Sequence, residues 1–266
     1  IVGATFGQTM VLDDVRRMAN EQVEMQRQMA RSEQLAGIGR LAATVAHEVR
    51  NPLGAIKGSA QHLMSVTRDR PDCQEFLGIV IEEADGLAQM TTDLLDFSKS
   101  EPLQCETFDL LSVLADETSL LLKDPAFKSK VKTNISGLVS QVVSSDKARI
   151  VRAIRNVLRN AAQAACLACV HHGEPQVDVS VDRAGDCVVV AIGDNGPGIP
   201  VELREKIFEP FYTTKSRGTG LGLAQVRQDL DLLGIRMEVG ISQYSGAEIT
   251  LIFPGRDAET KYGNDL

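Results

Sequence analysis

The chain has 266 residues, a net charge of -8 and a pI near 5.1, so it carries no broad positive field to hold a phosphate backbone, and nucleic acid is not an expected partner. Hydrophobic residues make up 43% and aromatic residues 4%, which suits helix-rich packing on Leu, Val, Ile and Ala in one or two domains. The cysteines at 73, 105, 166, 169 and 187 are an odd set without a regular frame, as in reduced thiols of a cytosolic protein, and no apolar run approaches the roughly 18 residues that span a bilayer. The chain opens on Ile1 without a signal peptide. The expectation is a cytoplasmic fragment of a longer protein whose missing part is a sensor, any membrane attachment lying upstream of Ile1.

From Asp13 and Asp14, either able to cap a helix, about 50 residues run to roughly Thr67 with a single proline, on the order of 80 Å of helix. No small monomer buries such a rod. Val15, Met18, Gln22, Met25, Met29 and Ser32 step by threes and fours, which predicts a parallel coiled coil between two chains over 13–34. Gly37 and Gly39 interrupt that pattern, and the apolar stripe shifts to Leu35, Ile38, Ala42, Val45 and Val49. A loop around Arg68 to Pro71 precedes a second helix, whose apolar face is Leu77, Val80, Ile81, Ala84, Leu87, Ala88, Leu94 and Leu95. One antiparallel hairpin over 35–100 has too little core by itself. Two copies make a four-helix bundle, so the hairpin predicts a homodimer.

Beyond Pro102, β-rich runs at 131–135, 176–181, 187–192, 235–239 and 248–253 alternate with helical segments. This predicts a separate α/β sandwich over 101–255, a mixed sheet packed on helices, with a short tail over 256–266. A helix capped by Asp146 buries Ile150, Ile154, Val157, Leu158, Ala161 and Ala165 and leaves Arg149, Asn156, Asn160 and Gln163 on another face.

Several short constellations carry chemistry. In Ala46-His47-Glu48-Val49-Arg50-Asn51-Pro52 a lone imidazole sits off the apolar stripe beside a carboxylate, with small neighbours and a proline one turn on. Asn156 and Asn160, four apart on a helix, can turn two amide oxygens toward one cation and its phosphates, the hard-oxygen setting that Mg²⁺ accepts. Asp194-Asn195-Gly196-Pro197-Gly198 follows a β run and puts an acceptor carboxylate where glycines let a flat ring approach the backbone. Gly218-Thr219-Gly220-Leu221-Gly222-Leu223 opens a helix whose free N–H groups and positive dipole end suit phosphate. Between these lie Phe208, Phe211, Tyr212, Lys215 and Arg217, an aromatic and basic segment with the makeup of a lid.

In this order the elements resemble the H, N, G1, F and G2 boxes of a sensor histidine kinase of a two-component system, from roughly Leu35 to Pro254. The histidine box is similar to that of the nitrogen-regulation kinases, and residues 1–12 resemble the end of a PAS sensor domain. The resemblance implies a protein-histidine kinase that uses ATP and Mg²⁺. His47 would attack the γ-phosphate, Glu48 would take the ring proton, and the phosphoryl group would pass to an aspartate of a response regulator. Asn51 would orient water to dephosphorylate that regulator. Asn160 would ligate Mg²⁺ with Asn156 beside the phosphates, Asp194 would bind adenine with Gly196 and Gly198, and Lys215 or Arg217 would meet the phosphates. Phe208, Tyr212, Gly218, Thr219, Gly220, Leu221, Gly222 and Thr250 complete the implied nucleotide set.

Other readings stand beside this one. The ATP boxes alone would admit type II topoisomerases and a class of heat-shock chaperones, hence a mechanical ATPase clamp. A nucleotide-binding scaffold without catalysis is a further alternative, against which Glu48, Asn160 and Asp194 argue. His62 lacks an acid neighbour and reads as structural. Cys166, Cys169, His171 and His172 could form a soft zinc set, but thiols packing on the Asn-bearing helix are the simpler account.

Overall fold

The computed structural model describes residues 49–98, 102–128, 130–137, 140–215 and 218–255. His47, Glu48 and Arg217 lie outside these, as do the expected PAS end, the coiled coil and the tail. The chain divides into two units, Ile1–Ser100 and Glu101–Leu266.

The first unit is a helical hairpin of α1, helical over residues 49–66, and α2, Pro71–Ser98. Proline suits the first position of α2 because its missing N–H would have no helical partner there. Gln74 closes the turn, its Nε2 donating to the carbonyls of Met64 at 2.8 Å and Thr67 at 2.9 Å. Leu53 and Ala60 of α1 and Ala84 and Phe97 of α2 are buried, and Arg50 Nη2 donates to Thr92 Oγ1 at 3.0 Å. The expected apolar face of α2 is divided. Ala84 is buried, Leu77, Ile81, Ala88, Leu94 and Leu95 are half-buried, and Val80 and Leu87 stay exposed. Phe76, Ile79 and Met90 on α2, with Ile56, Leu63 and Val66 on α1, are exposed as well. One hairpin therefore covers only part of its own apolar surface.

The second unit runs β1 (Cys105–Asp109), α3 (Leu110–Lys123), β2 (Lys132–Gly137), β3 (Val142–Asp146), α4 (Lys147–His172), β4 (Gln176–Ala184), β5 (Cys187–Asp194), α5 (Gly222–Leu232), β6 (Arg236–Ile241) and β7 (Ala247–Phe253). The five predicted strands form one sheet in the order β2-β4-β5-β7-β6, with β2 parallel to β4 and every other pair antiparallel. β1 and β3 add a separate antiparallel pair that the sequence reading missed, because five-residue strands with polar ends show too little alternation. Strand alternation in β5 and β7 sends Val188, Val190, Ile192, Ile249, Leu251 and Phe253 into the core. There Ile150, Ile154, Val157 and Leu158 of α4 are nearly fully buried, each contributing about 1.5–3 kcal/mol.

Asp146 caps α4 as expected, its Oδ1 accepting from Arg149 N at 3.1 Å. Ion pairs join α4 to its neighbours. Arg155 grips the buried Glu117 of α3 with two hydrogen bonds at 2.8 and 2.9 Å. Asp229 of α5, with no exposed surface, accepts from Arg149 Nη1 at 2.9 Å and from Arg152 at 2.8 and 2.7 Å. These bonds hold the C-terminal half of α5 against the polar face of α4.

Candidate nucleotide and phosphoacceptor site

The site of the second unit is built from the polar face of α4, the end of β5, the segment after it and the start of α5. Asn156, Asn160 and Gln163 recur at four and three residues, so they share the face of α4 that its apolar stripe leaves free. They serve two stations. A Cβ on Gly222 would lie 3.7 Å from Asn156 Oδ1, which places that amide at the first turn of α5. No described side chain caps this turn, and its N–H groups and positive dipole end suit an anion. One turn along α4, Lys215 Nζ donates to Asn160 Oδ1 at 2.7 Å and also to Gln163 Oε1. Burial and the neighbouring Arg159 push the lysine pKa down, with Asp194 acting in the opposite direction. Two amide oxygens thus converge on one cationic group, and such hard donors fit Mg²⁺. Gln163 belongs to the site although the sequence reading gave it no role; its place three residues after Asn160 was the available signal.

Asp194 ends β5 almost completely buried. Its Oδ1 accepts from Gly196 N at 2.8 Å and Ala247 N at 3.2 Å, while no described residue donates to Oδ2. Burial raises its pKa above the ordinary carboxylate value, against the pull of those two N–H groups and of Lys215. Gly196 is required by space: a Cβ there would stand 2.8 Å from the backbone carbon of Ala164 and 2.7 Å from Asp194 Oδ1. Gly198, at φ +75°, turns the chain beside Ser245 and Gly246.

The segment between Asp194 and α5 is fixed at both ends. Phe208 is half-buried against the core with Arg227 over its ring at 5.4 Å, and Phe211 N donates to Gly220 O at 3.0 Å. Gly220 has φ +67°, and a Cβ there would come within 2.4 Å of the Phe211 carbonyl carbon. Gly218 lies against Thr213, and Thr219 Oγ1 accepts from the N–H of the buried Leu221 at 3.3 Å. Tyr212 is half-buried in the same segment, its N–H bonded to Glu209 O at 3.1 Å.

Thr250 does not join this group. Strand alternation turns it to the sheet face opposite the core, opposite Ala191 and Glu238, and the residue of β7 that reaches Asp194 is Ala247 through its N–H. In the first unit Asn51 is exposed on α1, next to the Arg50 that bonds α2. The possible zinc set on α4 extends outside the described side chains. No helix among the described residues is long and apolar enough to cross a membrane.

Residues 38–103 match the His Kinase A (phospho-acceptor) domain, and residues 145–257 match the Histidine kinase-, DNA gyrase B-, and HSP90-like ATPase family. The chain is 34% identical over 255 residues to the signal transduction histidine-protein kinase AtoS of Escherichia coli strain K12, covering 95% of this chain and 40% of that protein. It is 31% identical over 239 residues to the sensor histidine kinase ZraS of Escherichia coli O157:H7, covering 90% of this chain and 51% of that one. Among solved structures, histidine kinase ThkA in complex with response regulator protein TrrA superposes with a TM-score of 0.62 at 25% identity, over 85% of this chain and 64% of that chain. The chain spans about half the length, or less, of these curated relatives. With a phospho-acceptor domain followed by an ATP-binding domain, matched in that order by relatives along nearly its whole length, the chain belongs to the sensor histidine kinases of two-component systems.

Proposed function

We propose that this chain is the transmitter portion of a dimeric sensor histidine kinase, which phosphorylates itself on His47 from Mg-ATP and passes the phosphoryl group to an aspartate of a response regulator. The observation that carries this reading is the union, in one chain, of the histidine box at 47–53 with a second unit whose Asp194, Asn160, Lys215 and α5 start are brought into one constellation. The ThkA–TrrA complex supports a receiver partner by kinship. The exposed apolar residues of α1 and α2 support a homodimer, because a second hairpin is what would cover them.

In this reading the adenine amino group donates to Asp194 Oδ2, the oxygen that no described residue uses, and the phosphates lie along the first turn of α5 beside Asn156. Asn160 would hold Mg²⁺, which would supply neutralisation of phosphate charge. Lys215 then exchanges its amide partners for phosphate oxygen. The neutral imidazole of His47 forms a new N–P bond as the bond from the γ-phosphorus to the bridging oxygen breaks; ADP leaves, and the ring proton passes to Glu48. Asn51, exposed on α1, orients the water that removes phosphate from the regulator. Residues 1–12 and 13–34 are the end of the sensor and the coiled coil that relays its state.

Incubation of the dimer with γ-labelled ATP tests the reading. Label that survives base and is lost in acid is expected, as for a phosphoramidate; hydrolysis of ATP with no such label would favour the ATPase clamp. A pH dependence follows from Asp194. Its Oδ1 is occupied by two N–H groups, so a proton goes to Oδ2 and removes the acceptor for the amino group. ATP affinity is expected to fall as pH drops through the raised pKa of this carboxyl, by up to about tenfold per unit below the midpoint. In the unliganded protein the sign is reversed: the group's stabilising contribution is present at low pH and is lost as pH rises. Calorimetric titration with ATP across roughly pH 4 to 8 checks this, and a midpoint at or below the ordinary aspartate value of about 3.9 would contradict it.

A further inference from the structure

Asp194 is oriented by the turn between β6 and β7, and the centre of that turn is one hydroxyl. Ser242 is buried, and its Oγ donates to the backbone carbonyl of Asp194 while accepting from Gly246 N at 3.1 Å and Tyr244 N at 3.3 Å. A serine hydroxyl has one donor and two acceptor sites, and here all three are used. The turn is closed by Ser242 N to Gly246 O at 3.0 Å and Ser245 N to Ser242 O at 2.9 Å. It lies directly on the carboxylate-bearing strand end: a Cβ on Gly246 would come within 2.1 Å of the Asp194 carbonyl oxygen, and one on Gly193 would touch Ser242 Cβ at 3.0 Å. The next residue, Ala247, supplies one of the two N–H groups on Asp194 Oδ1. From outside, Tyr244 Oη and Gln243 Nε2 each donate to Asp178 Oδ2 of β4 at 2.7 Å, which ties the turn to the sheet.

We infer that Ser242 is a positioning residue for base recognition: its hydroxyl locks the β6–β7 turn onto Asp194, so that Oδ1 is saturated by main chain and Oδ2 alone is presented to the adenine amino group. The inference rests on the reading of Asp194 as the adenine acceptor. Removing the hydroxyl frees one carbonyl and two N–H groups of a buried turn. The Ala247 N–H then drifts from Oδ1, and the carboxyl is no longer held with one defined oxygen outward.

The test uses the full 266-residue chain, with binding of ATP, inosine triphosphate and tripolyphosphate measured by calorimetry. Ser242→Ala is expected to bind ATP about tenfold more weakly, the size of effect that follows from losing hydrogen bonds that hold a recognition group. Its preference for ATP over inosine triphosphate, which has a carbonyl in place of the amino group, is expected to shrink by a similar factor. Tripolyphosphate affinity should stay at the wild-type level, and KM for ATP should rise with kcat unchanged. Ser242→Thr, which keeps the hydroxyl, is expected to restore the preference. Ser242→Cys keeps the volume with a weaker donor and acceptor and should fall between, which leaves a reading if the alanine variant does not fold.

Wild-type base preference in the alanine and cysteine variants would overturn the inference. So would an equal loss of ATP and tripolyphosphate binding, which is what general loosening of the unit produces. Asp194→Asn, measured in parallel, separates the two levels of argument. If it loses base preference while Ser242→Ala keeps it, only the role of Ser242 fails; if it keeps base preference, the reading of Asp194 fails and the inference with it.

Discussion

Glutamine in place of His47 is expected to abolish phosphoryl labelling of the chain, a loss of at least about 10³-fold, because the attacking nitrogen is removed and an amide nitrogen has no lone pair to offer. ATP binding should stay within about twofold of wild type, since a positioned nucleophile adds to the transition state rather than to ground-state affinity. The comparison is a time course with γ-labelled ATP on both proteins at equal nucleotide saturation. Persistent labelling in the variant would move the acceptor elsewhere, and His62 is the first place to look, since it also lies within the segment matched by the phospho-acceptor family. It is exposed on α1 and flanked by Gln61 and Leu63, with no carboxylate beside it to take a proton. Loss of ATP binding together with labelling would instead show that His47 acts through folding of the helix.

Alanine in place of Asp229 is expected to cost about 3 kcal/mol of stability in the second unit, toward the lower end for a broken buried ion pair because Arg152 keeps some access to water. For a domain of this size that corresponds to a fall in Tm of roughly 6–12 °C. Two guanidinium groups lose their shared partner, and Arg149, 9% exposed in its side chain, has little solvent in which to recover it. The consequence for function is positional. α5 is held to α4 by these bonds, and its first turn, with Gly222 beside Asn156, is the proposed phosphate site. ATP affinity should therefore fall along with Tm. A combined Arg149→Met, Arg152→Met, Asp229→Leu variant removes these three charges and should regain part of the stability, as apolar replacement of buried ionic groups often does, the recovery being limited by the buried Asp146, which loses its ion pair to Arg149. Thermal melts of the variants decide this. An unchanged Tm for Asp229→Ala would show that the cluster contributes nothing, and no recovery in the triple variant would show that shape rather than charge is at stake.

Much of this architecture was legible from local pattern. The apolar stripe from Ile150 to Ala165 and the aspartate before it predicted α4 and its cap, and the five β-rich runs all became strands of one sheet. The polar face of α4, with Asn156 and Asn160 on it, follows from the same 3.6-residue repeat. Gly196 stands out in the sequence because a glycine beside Asp194 lets a flat ring approach the backbone, and Gly220 because it belongs to a glycine-rich helix start suited to phosphate. The structure supplies the reason for each: Ala164 leaves no room for a side chain at 196, and Phe211 none at 220.

What the sequence by itself determined is whatever repeats within a turn of helix or a few residues of strand: element type, which face is apolar, the order of the motifs, and with that order the family. Contacts between segments far apart in the chain were decided only by tertiary structure. Lys215 meets Asn160 and Gln163 across more than 50 residues, Ala247 reaches Asp194 across 53, and Asp229 gathers two arginines some 80 positions earlier. Thr250 illustrates the boundary, since composition places a hydroxyl in the last strand, but only the register of β7 against β5 and β6 turns it to the face away from the core. Periodicity is a property of the backbone and is written locally. Convergence of side chains depends on how sheets twist and helices dock, which no short window of residues encodes.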